Sequence, residues 1–153
     1  MILFRYGKYC MYQNQWFDFG IRENGKCVLR AGTEYKESLV KMGFYKHAGL
    51  LYILEVNPED IQSAYRVSVW ADYKGFICSV YEMKDHDIVN MAPSIEYEIM
   101  SGDHTKHGYD PQLNVKESEL DDIWEERTPI NGFKFDVEPI VYLKKDGVWL
   151  VEH

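Results

Sequence analysis

The sequence predicts an α+β fold: a mainly antiparallel sheet built from hairpins, with two or three short helices packed on it. Three observations carry this expectation. Turn residues recur between apolar stretches of strand length, those stretches show two-residue alternation or are apolar throughout, and three segments begin with helix-start chemistry. The first hairpin joins "WFDFGIR" to "KCVLRA" through Glu23-Asn24-Gly25, where Asn-Gly tolerates the positive φ of a tight turn. The second joins "YRVSVWAD" to "FICSVYEM" through Tyr73-Lys74-Gly75, and the third joins "PIVYLKK" to "VWLVEH" through Asp146-Gly147. "GLLYILEV" is apolar on both faces, as a central strand would be. "FKFDV" alternates, with Phe133, Phe135 and Val137 on one side and Lys134 and Asp136 on the other.

The expected helices are shorter. "TEYKESLVKMGF" starts with Thr33 as N-cap and stops near Gly43, with Tyr35, Leu39 and Met42 spaced for one face. Asn57-Pro58-Glu59-Asp60 places proline at a first helical position and predicts a brief second helix. "ESELDDIWEER" offers Ser118 as N-cap, Asp121 in a box-like position and Thr128-Pro129 as the stop. Its apolar residues Leu120, Ile123 and Trp124 form one narrow stripe, and the rest of that surface is carboxylate.

At 153 residues the chain fits one globular domain, 1–153, large enough to bury a core without disulfides or metal. Arg5 and Lys8 interrupt the apolar start before it reaches the core length of a signal peptide, and no apolar run approaches the ~20 residues that span a bilayer. Cys10, Cys27 and Cys78 have no CxxC spacing and cannot all pair within one chain. The expectation is a cytoplasmic protein with reduced, packed thiols and no membrane partner.

Charge is the most informative feature. The net charge is −8, yet residues 82–127 hold 4 Lys/Arg against 13 Asp/Glu, a net of −9. Within them, Glu117, Glu119, Asp121, Asp122, Glu125 and Glu126 face only Arg127 between positions 117 and 127. On a helix, like-charged pairs such as Asp121 and Glu125 would repel by a few tenths of a kcal/mol each. Such a run is commonly just a solvated face; as a functional surface it would attract a basic partner over about a Debye length and speed association. Direct binding of duplex DNA or RNA calls for clustered Lys/Arg, which the sequence lacks.

Chemistry is poorly signposted. "SGDHTKHGYDP" sets His104 and His107 three apart, and Asp103, Asp110 or His86, in "KDHDI", could complete a ligand set with them. Zinc needs three or four ligands, but glycines and Pro111 mark a loop with no helical face to align an HxxH pair. Lys106 between the histidines disfavours a cation. There is no GxSxG, GxGxxG or GxxxxGK[ST], and a carboxylate pair among 25 acids proves nothing. No catalytic residue, metal site or cofactor is assigned. Tyr and Trp favour protein interfaces, and Tyr109, in the acidic third, is the tyrosine placed at one.

The expected function is therefore a non-catalytic, acidic protein-binding module. It resembles bacterial immunity proteins in general character only: an antidote that docks on a basic partner such as a nuclease toxin, whose cationic groove accepts carboxylates in place of phosphates. The expected contact residues are Tyr109, Glu117, Glu119, Asp121, Asp122, Glu125 and Glu126. Two alternatives stand beside it. A DNA-mimic antirestriction-type protein would spread its carboxylates in long double rows. A small-molecule or metal-binding enzyme domain would use the His104/His107 loop, with His86 converging on it.

Overall fold

The structure, a computed structural model, describes residues 4–85, 87–94, 96, 97, 100, 105–107 and 110–151, with backbone alone at 105–107, 110 and 111. It is nearly all β, which corrects the α+β expectation. The strands are β1 (Gly7–Tyr12), β2 (Gln15–Ile21), β3 (Cys27–Arg30), β4 (Tyr45–His47), β5 (Leu51–Val56), β6 (Ser63–Tyr73) and β7 (Phe76–Lys84). They continue with β8 (Ile88–Ala92), β9 (Thr105–His107), β10 (Asp110–Lys116), β11 (Ile123–Pro129), β12 (Ile140–Lys145) and β13 (Val148–Trp149). A short helix, α1 (Glu37–Met42), starts three residues later than Thr33 would set it, and Glu96, Tyr97 and Met100 are helical as well. Helix α1 stops where expected, at Gly43, whose φ of 106° closes the last turn. The Pro58–Asp60 segment is a single 3-10 turn.

The third expected helix is the instructive correction. Glu117–Glu119 is a 3-10 turn, and the chain beyond it runs into strand β11. Ile123 and Glu125 are buried while Trp124 and Glu126 are half-buried, a two-residue period that the Leu120, Ile123, Trp124 stripe conceals. A helix would crowd six carboxylates on three turns. The strand instead turns Glu125 inward onto Arg5, distant in sequence, and Arg127, and pairs the backbone with β12, Glu125 opposite Val141. Conversely, residues 133–137 are not a strand, although Phe133, Phe135 and Val137 are half-buried and Lys134 and Asp136 exposed, as the alternation implies. Lys134 O accepts hydrogen bonds from Ala64 N (2.9 Å) and Ser63 Oγ (3.3 Å), so this segment is held by isolated contacts instead of a ladder.

All three expected hairpins form. Lys74 and Gly75 (φ 53° and 85°) and Asp146 and Gly147 (φ 52° and 80°) make two-residue turns with both central residues at positive φ. The β1–β2 turn at Gln13-Asn14 is of the same kind but carries no glycine to announce it. The loop expected around His107 and Pro111 is partly sheet, since β9 pairs antiparallel with β10, His107 opposite Asp110.

The chain divides into two compact units, both discontinuous in sequence. Gly7–Arg66 with Thr128–Val137 form one. Its sheet runs β4-β5-β3-β2-β1, every neighbour antiparallel. One face buries Cys10, Phe17, Phe19, Cys27 and Leu29 against Leu39 of α1 and against Phe44, Ile61 and Phe133. Met1–Tyr6, Val67–Arg127 and Glu138–His153 form the other. In it β7 lies between β6 and β8, β8 pairs β10, and β11 pairs both β6 and β12. Val69, Val80, Val89, Met91, Leu120 and Ile123 fill its core. No helix among the described residues is long and apolar enough to cross a membrane.

Candidate interaction surface

The acidic run does not present a single outward row. Glu125 is buried and receives hydrogen bonds from Arg5 Nε (3.3 Å) and Nη2 and from Arg127 Nε (2.8 Å). Burial pushes its carboxyl up, but the hydrogen bonds and charge of Arg5, then those of Arg127, outweigh this and hold it below the usual range. Glu117 accepts Nζ of the buried Lys144 at 2.7 Å and the Trp149 indole N–H at 3.2 Å. Lys144 also donates to the Glu117 carbonyl at 2.8 Å, and its ammonium lies 5.2 Å from the Trp149 ring centre. Glu119 is exposed but turns one oxygen back to accept Lys116 N at 2.9 Å. Glu126 is half-buried on β11. Tyr109, His86, Asp103 and His104 lie outside the described residues, as do the His107 and Asp110 side chains, so the contact expected at Tyr109 and the histidine convergence fall there too.

Asp121 and Asp122 remain, and the fold adds partners that their sequence neighbours do not supply. Asp72 N donates to Asp122 O (3.2 Å), Gly147 N to Asp121 O (3.0 Å) and Asp146 N to the Asp122 carboxylate (2.8 Å). Asp72 in turn caps its own hairpin by accepting Gly75 N at 3.0 Å. Two glycine turns, 73–76 and 145–148, are thereby tied to the 121–122 segment, which brings Asp72, Asp121, Asp122 and Asp146 together. Asp72, Asp121 and Asp146 are exposed and Asp122 is half-buried. None of the four takes part in a salt bridge among the described residues.

The charge asymmetry of the sequence reappears in the fold as an asymmetry between the two units. The unit that holds these aspartates carries 8 Lys/Arg and 17 Asp/Glu, a net of −9; the other carries 9 and 8, a net of +1. The sequence window 82–127 holds the same net charge, but it leaves out Asp72 and Asp146, so it conceals the gathering of the four aspartates. The turn signals at Gly75 and Gly147 were the available clue, since aspartates beside tight turns are exposed.

Other chemistry is limited. No group of three or more His, Cys, Asp or Glu able to hold a metal ion occurs among the described residues. All three cysteines are buried and free, and burial raises each thiol, Cys10 to about 12, which leaves them poor nucleophiles. In the other unit, the sheet face away from the core is partly open, with Arg30 exposed and Val28 half-buried but Tyr9 and Ile53 buried. It bears a depression of about 320 Å³ lined by Gly20, Val28, Arg30, His47, Leu50 and Ile53, among others. A second, of about 450 Å³, is lined by Tyr9, Trp16, Asp18, Arg30, Glu34 and Lys36, among others. No sequence motif marked either, because their residues come from three or more separate segments.

The chain belongs to the family described as Uncharacterised conserved protein UCP033725, whose model matches residues 4–132. That stretch takes in β1 to β11 and ends before β12 and β13. No curated protein and no solved structure matches the chain.

Proposed function

We propose that the protein is a non-catalytic binding module that docks on a basic protein through the acidic unit, in the manner of a bacterial antidote to a nuclease toxin. One observation carries the reading: the net charge of −9 sits in one compact unit, with Asp72, Asp121, Asp122 and Asp146 gathered and outside every salt bridge among the described residues. A concentrated negative field steers a cationic partner and sets its orientation more than it sets affinity. The proposed contact residues keep Asp121 and Asp122 of the gathered aspartates, and Glu119, Glu126 and Tyr109 are retained from the acidic stretch of the sequence. Glu117 and Glu125 serve the surface from within, by fixing the 117–127 segment. Short clusters at turns suit a groove of limited extent better than a duplex-mimicking double row, which favours the antidote over the DNA mimic. Three inert thiols fit residence in the reducing cytoplasm.

The test is capture from an extract of the source cells on the immobilised chain, wild type beside Asp121→Lys/Asp146→Lys, at low and high salt. The expected result is one basic protein, retained by the wild type, weakened by salt, and reduced about tenfold by the double reversal. Equal capture by both chains, or no basic protein at low salt, overturns the reading.

A further inference from the structure

The partly open sheet face of the near-neutral unit carries spare hydrogen-bond donors around an apolar floor. On this face Asp18, Arg30, Ile53 and Tyr45 stand in one cross-strand row, since Asp18 pairs with Arg30, Arg30 with Ile53 and Ile53 with Tyr45. Gly20 and Val28 pair in the next row. Arg30 Nε donates to Asp18 at 2.7 Å and Nη2 to the Phe19 carbonyl at 3.0 Å, which fixes the guanidinium over Gly20. A Cβ at Gly20 would lie 3.4 Å from Arg30 Nη1, in ordinary contact, so the guanidinium rests directly above this glycine. Nη1 has no acceptor among the described residues. Arg22 is held in the same way, Nη1 on Glu55 at 2.7 Å, with its remaining N–H groups unengaged among the described residues. His47 completes the polar rim.

Between these donors lies the depression of about 320 Å³, floored by Val28 and Ile53 and walled by Ile21, Leu50 and Leu51. Its size is at the lower end of small-molecule sites, about 300–1,000 Å³, and apolar walls with a few fixed polar groups are the usual composition. Leu50 and Ile21 are 63% and 45% exposed, an arrangement that a bound apolar group would relieve.

We infer that this depression binds an amphipathic organic anion, a carboxylate on an aliphatic chain. The carboxylate would accept from Arg30 Nη1 and the free N–H groups of Arg22. Both guanidiniums are already oriented by Asp18 and Glu55, so little side-chain freedom remains to be lost on binding. The tail would cover Val28 and Leu50 above the buried Ile53. An alkylammonium of equal length gains the same apolar contacts, but the Asp18 and Glu55 carboxylates it would need are already engaged by Arg30 and Arg22. This inference concerns a different unit from the acidic docking surface and stands or falls independently of it.

The experiment is titration of the isotopically labelled full-length chain with octanoate, octylammonium and 1-octanol, followed by amide shifts. Saturable shifts at Gly20, Val28 and Ile53 are expected with octanoate, with affinity about tenfold or more above the other two probes, as charge-assisted bonds imply. Asp18→Asn/Arg30→Gln, which removes the guanidinium without leaving a bare carboxylate, should weaken octanoate by a similar factor. Arg22→Gln should weaken it as well. Equal binding of the three probes, shifts confined to other surfaces, or undiminished affinity in both variants overturns the proposal.

Discussion

Glu125 shows how much one side chain can decide. It lies at 4% exposure between Arg5 and Arg127, and removing it takes away the carboxylate to which the buried Arg5 guanidinium donates. Breaking such a pair from one side costs about 3–5 kcal/mol, so Glu125→Ala should lower the unfolding free energy by that order in urea titrations. The effect has a defined pH dependence. The folded carboxyl titrates below its ordinary 4.5, so its stabilising contribution is complete above that value and disappears as pH falls through the folded pKa. The gap between wild type and variant should therefore stay constant near neutrality and narrow in acid; a gap unchanged down to low pH would contradict the assignment. Gly43 is a second such position. At φ 106°, with Leu54 Cδ1 3.3 Å from where a Cβ would sit, Gly43→Ala combines backbone strain with crowding. A loss of about 1–2 kcal/mol in the same measurement is expected.

Between single side chains and the whole chain, the β12–β13 hairpin illustrates how a short element is secured. β13 has two residues, too few to hold by ladder bonds. Lys144 and Trp149 both reach Glu117, so the hairpin is fastened to the 3-10 turn through one carboxylate. A double-mutant cycle of Lys144→Met and Glu117→Gln should give a coupling of about 1–3 kcal/mol, because the lysine is nearly fully buried. The same cycle on Lys41 and Glu37, an exposed pair 3.4 Å apart on α1, should give about 0.5 kcal/mol or less. Comparable couplings in the two cycles would show that the buried pair has no special role.

Over the molecule as a whole, the uneven field has a cost. Seventeen acids against eight bases in one unit repel one another in the folded state, where they are closer than in the unfolded chain. Added salt screens that repulsion over a Debye length of about 10 Å at 0.1 M. The melting temperature should therefore rise with moderate NaCl, and Asp121→Lys/Asp146→Lys should raise it at low salt while flattening its salt dependence. A melting temperature that falls with salt would mean that favourable ion pairs dominate.

What could be read from the chain was local. Asn24-Gly25, Lys74-Gly75 and Asp146-Gly147 announce hairpins because their backbone preferences are intrinsic, and Gly43 announces a helix stop for the same reason. The antiparallel character follows from those turns. The 117–127 segment is ambiguous in sequence because its apolar residues fit a helical stripe as well as a strand. The choice was made by Arg5 and Lys144, over a hundred and about thirty positions away respectively, which supply the charges that a helix would leave unmet. Gathering of Asp72 and Asp146 with Asp121 and Asp122, and placement of Gly20 beneath Arg30, likewise depend on strand registers that no local pattern encodes. Net charge belongs to composition and is visible at once; which carboxylates are spent on the protein's own cations is a matter of contacts, and contacts exist only in the folded chain.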